Sequence, residues 1–463
     1  MKNIKKLFTL ALTGGILFFT SACTQFVEGL SIDPNNPADV PSSLLLPNAT
    51  VEMGSLLGED LAWYSQVFMQ THVGTARQMN AATRYTVLAG DINNAWNAAY
   101  ANMLMDLKVI VDKSAENGNT HYSGVAKIMT ALALGTITSA WGDAPYSEAL
   151  KGTENTTPTY DNSETVLYPK IQSLLDEGIA ELRGSSAVSP GNDDLIYKGS
   201  TAKWIAAAYA LKARYANHSS NKDATGSANQ ALSFIEAGAI ASNADDMAVP
   251  YGTADPREAN PWYQFNTQRG DLVLGEFFVN KLLENDDPRL PFFAKTDAAG
   301  GYSGSPVFPP TIDASPLGSF YGNINSKLPL VTYAEVKFIE AEANFRLGKT
   351  AEALAAYTEA VTASVTKVTG AAPDQTFLDA VVPANAADLT LEMIMDQKYL
   401  AMFTQYESWT DFRRTGFPAL TPYPGQSSVP GRYPYAQRER DLNTANVPAA
   451  ATSGLFDKLW FAK

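Results

Sequence analysis

Aromatic rings placed beside amides and guanidiniums are the residues of this chain whose types and spacing point most directly to chemistry. Trp262 and Tyr263 follow Pro261, Gln268 and Arg269 stand close behind, and Tyr302, Phe320 and Tyr321 occur further along the same stretch. Nearer the start, Trp63, Tyr64 and His72 precede a polar run containing Arg77, Gln78 and Asn80. A ring covers the flat C–H face of a sugar while amides, carboxylates and guanidiniums take its hydroxyls, so a neutral glycan is the ligand such a set would hold. The expected substrate-binding surface is therefore a loop platform of Trp262, Tyr263, Gln268, Arg269, Tyr302, Phe320 and Tyr321, with Trp63, Tyr64 and His72 on an opposing wall.

Catalytic patterns do not hold together on counting. Gly348, Lys349 and Thr350 resemble the end of a phosphate loop, but the glycine required five positions earlier is Ala343. Gly301 to Ser305 misses a nucleophile elbow because the second glycine comes one residue early. His72, His121 and His218 lack the spacing of a zinc site. Acidic pairs such as Asp193 with Asp194, Asp245 with Asp246 and Asp286 with Asp287 read as solvated turns. No catalytic residue, metal ligand or cofactor site is expected.

The 34 Lys and Arg against 48 Asp and Glu leave a formal charge of −14. With no basic cluster beyond the first residues, a nucleic-acid partner is not expected on electrostatic grounds and a polyanionic ligand is disfavoured. Hydrophobic residues at 45% and charged residues at 18% suit one large core, and no long linker divides the chain.

Cys23 is the only cysteine in the sequence. It follows Lys2, Lys5 and Lys6, an apolar run from Leu7 to Phe19 and the small residues Thr20, Ser21 and Ala22, which is the order of an export signal. The apolar run falls short of the ~20 residues that span a bilayer. Residues 1–22 are thus expected to be a removed lipoprotein signal, with Cys23 carrying the lipid that anchors residues 23–463 to a membrane. Thr20 departs from the usual lipobox, where a Leu or similar residue stands. A Pro and Asn-rich lead over 24–50 is read as a tether or strap.

The rest of the chain must position those side chains. Ile92, Trp96, Tyr100, Met103, Leu107 and Ile110 recur at helical spacing, with Asp91 before them and Gly118 beyond. A second helix, apolar nearly all round, is expected over 122–141, and others over 164–182, 201–217 and 227–236. Thr332 and Glu335 form a capping box for a helix that turns at Gly348 and restarts at Thr350. Paired helices with short turns and Ala/Tyr packing indicate a mainly α, tetratricopeptide-like scaffold, although the spacing is too irregular for a strict repeat. Interrupting it are a loop-rich insertion over 239–330, with one helix over 271–283, and a C-terminal loop region over 423–463. Long loops in a compact domain are where binding is expected.

Several strings resemble the SusD/RagB family of outer-membrane nutrient-binding lipoproteins of Bacteroidetes, in particular its shorter SusD-like branch. They are Trp141 to Glu148; Asp33 to Pro37; Trp96 with Tyr100, Asp106 and Leu107; Asp287 to Leu290; Tyr333, Glu335, Phe338 and Glu340 to Glu342; Trp409, Asp411, Arg413 and Arg414, then Gly416 and Pro418; and Arg432 to Tyr435 with Glu439, Asn443 and Asn446. The resemblance implies a helical body seated on a SusC-like TonB-dependent transporter at the outer membrane, capturing a glycan at the cell surface without chemistry and without a cofactor. An oligopeptide-binding subunit of similar architecture is one alternative. A surface glycoside hydrolase, which needs two carboxylates at fixed separation, is another.

Overall fold

The computed structural model describes residues 40–448 and 454–463. Cys23 and the 33–37 string therefore lie outside the described residues. The expected lead is irregular for less of its length than its composition indicates. Helix α1 (Ser42–Gly58) already begins behind Pro41 and accommodates Pro47. Glu59, at φ −107° and ψ −125°, breaks α1 from α2 (Asp60–Phe68) and directs two successive carboxylates toward one cleft. Strand β1 (His72–Gly74) and the short helix α3 (Arg77–Thr83) follow.

The helical array starts beyond a π turn at Ala98–Met103, which interrupts the helix expected from Asp91 and hands over to α4 (Leu104–Asn117). Gly118 stops α4 in the left-handed region at φ 74°, where a side chain would strain the backbone. Then come α5 (Thr120–Trp141), α6 (Tyr168–Arg183), α7 (Thr201–His218) and α8 (Ala224–Glu236). Each packs on the next, and α5 is buried along nearly its whole length, as its all-round apolar sequence requires. At Gly135 the helices meet so closely that a Cβ would lie 2.2 Å from the Tyr215 ring of α7.

The insertion carries more regular structure than expected. Strand β2 (Met247–Val249), helix α9 (Pro261–Gln268), strand β3 (Leu272–Leu274), helix α10 (Glu276–Leu283) and strand β4 (Leu328–Val331) all fall within it. The helix expected over 271–283 is thus a strand followed by a shorter helix. The antiparallel pair β1–β3 stitches the insertion to the body, while β2–β4 brings the two ends of the insertion together. The array resumes with α11 (Tyr333–Arg346), which packs on α8, then α12 (Thr350–Thr369), α13 (Leu391–Ala401) and α14 (Glu407–Thr415). The Thr332 hydroxyl accepts the Glu335 amide at 3.2 Å, the N-cap half of the expected capping box, while the Glu335 carboxylate is taken by Arg214 and leaves the reciprocal half unmade.

The family-like strings turn out to be buried pins. Glu342 accepts hydrogen bonds from both terminal nitrogens of Arg414, from Arg346 Nε and from Asn217 Nδ2, and Arg414 also binds Asp411 at 2.8 Å. Arg413 lies 3.7 Å over the Trp409 ring and donates to the Ser139 carbonyl. Trp141 Nε1 donates to the Pro434 carbonyl, and the Tyr435 hydroxyl to that of Asp143, so the C-terminal strap is fastened to the end of α5. Arg289, fully buried, forks onto Asp287 and reaches Gln397.

Candidate functional site

Strand pairing brings the two expected walls together. With His72 opposite Leu274 and Gly74 opposite Leu272, the residues just beyond each strand end become neighbours. Thr75 N donates to the Asp271 carbonyl at 2.8 Å, Arg77 Nε donates to Asp271 Oδ2 at 3.0 Å, and Arg77 Nη2 donates to the Arg269 carbonyl at 2.6 Å. Arg269 Nη2 in turn donates to Gln78 Oε1 at 3.3 Å. Both guanidiniums remain accessible while Asp271 is buried beneath them. Arg84, exposed at the far end of α3, lies seven positions after Arg77 and so falls near the same helical face.

The rings expected to form the platform divide into two groups. Trp262 is 1% exposed, and so are His72 at 1%, Tyr64 at 2% and Tyr321 at 4%. They are corrected here to core residues. Trp262 and Tyr263 are not on a loop: the Asn260 side chain accepts their amides and starts α9, which turns Trp262 inward and leaves Tyr263 half-exposed. Trp262 stacks on His72 at 4.8 Å, His72 on Phe403 at 5.3 Å, and Phe403 on Phe278 at 4.4 Å, a column that fixes the position of β1 under the surface. Burial lowers the His72 pKa to about 3, so the imidazole is neutral within the stack. Trp63 packs on Phe265 at 4.4 Å and is half-buried. Gln268 and Arg269 are exposed, and Tyr302 and Phe320 are partly so. Phe320 and Tyr321 line a separate cavity, described below.

A second set of rings occupies the surface that the sequence reading left empty. Phe308, 58% exposed, meets Tyr423 edge-on at 5.9 Å, and Tyr85 contacts Tyr423 at 6.5 Å and Phe456 at 6.3 Å. Four stretches of chain, at Tyr85, Phe308, Tyr423 and Phe456, supply them. The loop bearing Phe308 is laid on β3 through Ser305, whose amide donates to Leu274 O while Glu276 N donates to Ser305 O, both at 2.8 Å. A Cβ at Gly304 would lie 2.3 Å from the Glu276 backbone, so only glycine allows that crossing. The loop bearing Tyr423 is held by Gln70 Nε2, which donates to Thr421 O at 2.6 Å, and by Gln426, which reaches the Arg84 carbonyl.

Seven non-glycine residues among those described have positive φ, and three of them, Gln70 at 55°, Arg77 at 47° and Tyr85 at 59°, fall in this one segment. Each left-handed residue costs about 1–3 kcal/mol, and such outliers gather where surrounding structure holds side chains ready for a ligand. The rings of Tyr423 and Phe456 pack on Tyr85, the last of these three residues. The surface can clasp a ligand by stacking and hydrogen bonding. Its buried carboxylate, Asp271, is already occupied by arginines. The sequence signal for Phe308 and Tyr423 is an aromatic residue directly before proline inside a loop, a pattern distinct from the Trp/Tyr clusters.

Residues 34–436 match the SusD-like family described as "Starch-binding associating with outer membrane". The chain belongs to that family. Among solved structures, it is similar to a SusD/RagB family protein from Bacteroides thetaiotaomicron, at 26% identity and a TM-score of 0.79, covering 92% of this chain and 99% of that one. It also superposes on a SusD homolog from Bacteroides uniformis, at 21% identity and TM-score 0.77 over 92% of this chain and 100% of the other. A chitin-binding SusD homolog from Flavobacterium johnsoniae gives 20% identity and TM-score 0.76 over 90% and 97%. The mainly helical scaffold is thereby the family fold. No curated protein matches the chain. No described helix is long and apolar enough to cross a membrane.

Proposed function

We propose that this SusD-like chain captures an oligo- or polysaccharide on the Phe308–Tyr423–Phe456 face and delivers it uncleaved to a SusC-like TonB-dependent transporter. The observation that carries the reading is the ring set of Phe308, Tyr423 and Phe456, which meets Tyr85, the last of three left-handed residues in the segment that also carries Arg77 and Arg84. Rings cover sugar C–H faces, and the guanidiniums, with Gln78, Gln268, Tyr263 and Tyr302 around them, take hydroxyls. Asp271, buried beneath this surface, is paired with two arginines. Cys23 would carry the lipid that holds the molecule at the outer membrane, facing the cell exterior.

The test is the double variant Phe308→Ala with Tyr423→Ala, measured on immobilised polysaccharides and by calorimetry with their oligosaccharides. Two stacking contacts at about 0.5–1.5 kcal/mol each predict a loss of about 5- to 100-fold in affinity. The thermal midpoint should move little, since Phe308 is 58% exposed. Unchanged glycan affinity in this variant, or binding of peptides with none of glycans, would overturn the proposal, as would appearance of cleavage products.

A further inference from the structure

Away from that face, a cavity of about 320 Å³ opens between the helical array and the insertion, lined by Asn243, Asp246, Lys367, Lys327, Phe320 and Tyr321 among others. None of its lining residues belongs to the aromatic and guanidinium face. Two ammoniums stand here against one carboxylate, an excess of positive charge in a chain whose formal charge is −14. Lys367 pairs with Asp246 at 2.8 Å, and Asp246 Oδ1 is taken by the Tyr333 amide at 2.7 Å. Lys327, on the rim, is exposed and has no ion-pair partner among the described residues. The nearby Asp245 is engaged by Lys203 at 3.1 Å, so it does not neutralise Lys327.

Two further groups narrow the chemistry. Asn243 spends its amide N–H on the Ala363 carbonyl at 2.8 Å, while its Oδ1 is buried with no hydrogen-bond partner. A buried acceptor left without a donor costs free energy, and a ligand hydroxyl would satisfy it. Phe320, half-buried and edge-on to Tyr321 at 4.8 Å, presents an apolar wall. Anion, hydroxyl donor and apolar face describe one small molecule. We infer that this cavity is a second binding site, for a hydroxylated carboxylate of monosaccharide size, a uronic acid. The carboxylate lies between Lys327 and Lys367, a hydroxyl donates to Asn243 Oδ1, and the C–H face rests on Phe320. A cavity of this volume suits a small ligand, not a polymer.

The experiment is titration of the full chain with D-galacturonate, D-galactose and the methyl ester of galacturonate, followed by calorimetry and saturation-transfer NMR. Galacturonate is expected to saturate in the millimolar range, and the two uncharged sugars to bind about tenfold more weakly. Lys327→Ala, an exposed position whose change leaves the fold intact, should weaken galacturonate about tenfold. Phe308→Ala with Tyr423→Ala should leave it unchanged, which separates this site from the glycan face. Equal binding of acid and ester, no effect of Lys327→Ala, absence of saturation, or loss in the Phe308/Tyr423 variant would each overturn the inference. None of these results would touch the role proposed for the aromatic face.

Discussion

Asp60 offers the sharpest physical test of the structure. It opens α2 in a cleft of about 230 Å³ lined by Glu52, Ser55, Glu59, Asn94, Asn97 and Asn102, with no basic residue among them. Its Oδ2 is buried without a hydrogen-bond partner. Burial first, then the charge of Glu59, raise its pKa from 3.8 to about 7, with a hydrogen bond from Asn94 lowering it and Asp91 raising it further. Because the folded carboxyl holds its proton more tightly than the unfolded one, the folded state is favoured below about pH 4 and loses that advantage as pH rises toward about 7. Above that the penalty is constant. About three pKa units at 1.36 kcal/mol each amount to about 4 kcal/mol, an upper figure that solvent in the open cleft reduces to about 2. Asp60→Asn removes the charge, and its amide N–H finds acceptors in the carboxylates around it. The variant should therefore melt higher than the parent at about pH 8.5 and almost equally at about pH 4. At about 2.1 cal/mol/K per residue over 463 residues, 1 kcal/mol shifts the midpoint about 1 °C, so the expected gain is about 2–4 °C. Scanning calorimetry at both pH values measures it. A midpoint that falls at high pH, or rises equally at both, would refute the assignment of Asp60 as a desolvated, uncompensated acid.

Two other substitutions probe the framework. Glu342→Gln leaves Arg414 and Arg346 facing a neutral amide in a fully buried site, and breaking such a pair costs about 3–5 kcal/mol, so the midpoint should drop about 3–5 °C by calorimetry at neutral pH. A drop below about 1 °C would mean the network is not closed as described. Gly135→Ala places a methyl 2.2 Å from the Tyr215 ring, and overpacking of this kind costs about 1–3 kcal/mol, visible as a lowered denaturant midpoint with unchanged slope. No change there would show that α5 and α7 sit further apart.

Much of the scaffold was legible because helices are written locally. The helix expected over 122–141 appears as Thr120–Trp141, and the Thr332 N-cap and the Gly348 turn appear where their residues placed them. What escaped is what depends on distant partners. Leu272 to Leu274 read as the start of a helix because the partner that makes them a strand is His72 to Gly74, two hundred positions away. Trp63 and Tyr64 looked like one aromatic pair, yet neighbours on a helix point about 100° apart, and Tyr64 is buried while Trp63 is half-exposed. Pro261 reads as a loop mark in the sequence, although behind Asn260 it is a helix start. Arg77 and Gln78 come against Arg269 through the strand pairing, and the rings of Phe308, Tyr423 and Phe456 come together only in three dimensions.

The stitching of β1 to β3, with Ser305 and Thr421 fastened over it, has a consequence for when the molecule becomes competent. The proposed ligand face needs chain from Gln70 to Phe456, so no form lacking part of that span presents it. Retention on a glycan column would thus score completion of the whole polypeptide's folding, and partially digested or C-terminally clipped material should pass straight through.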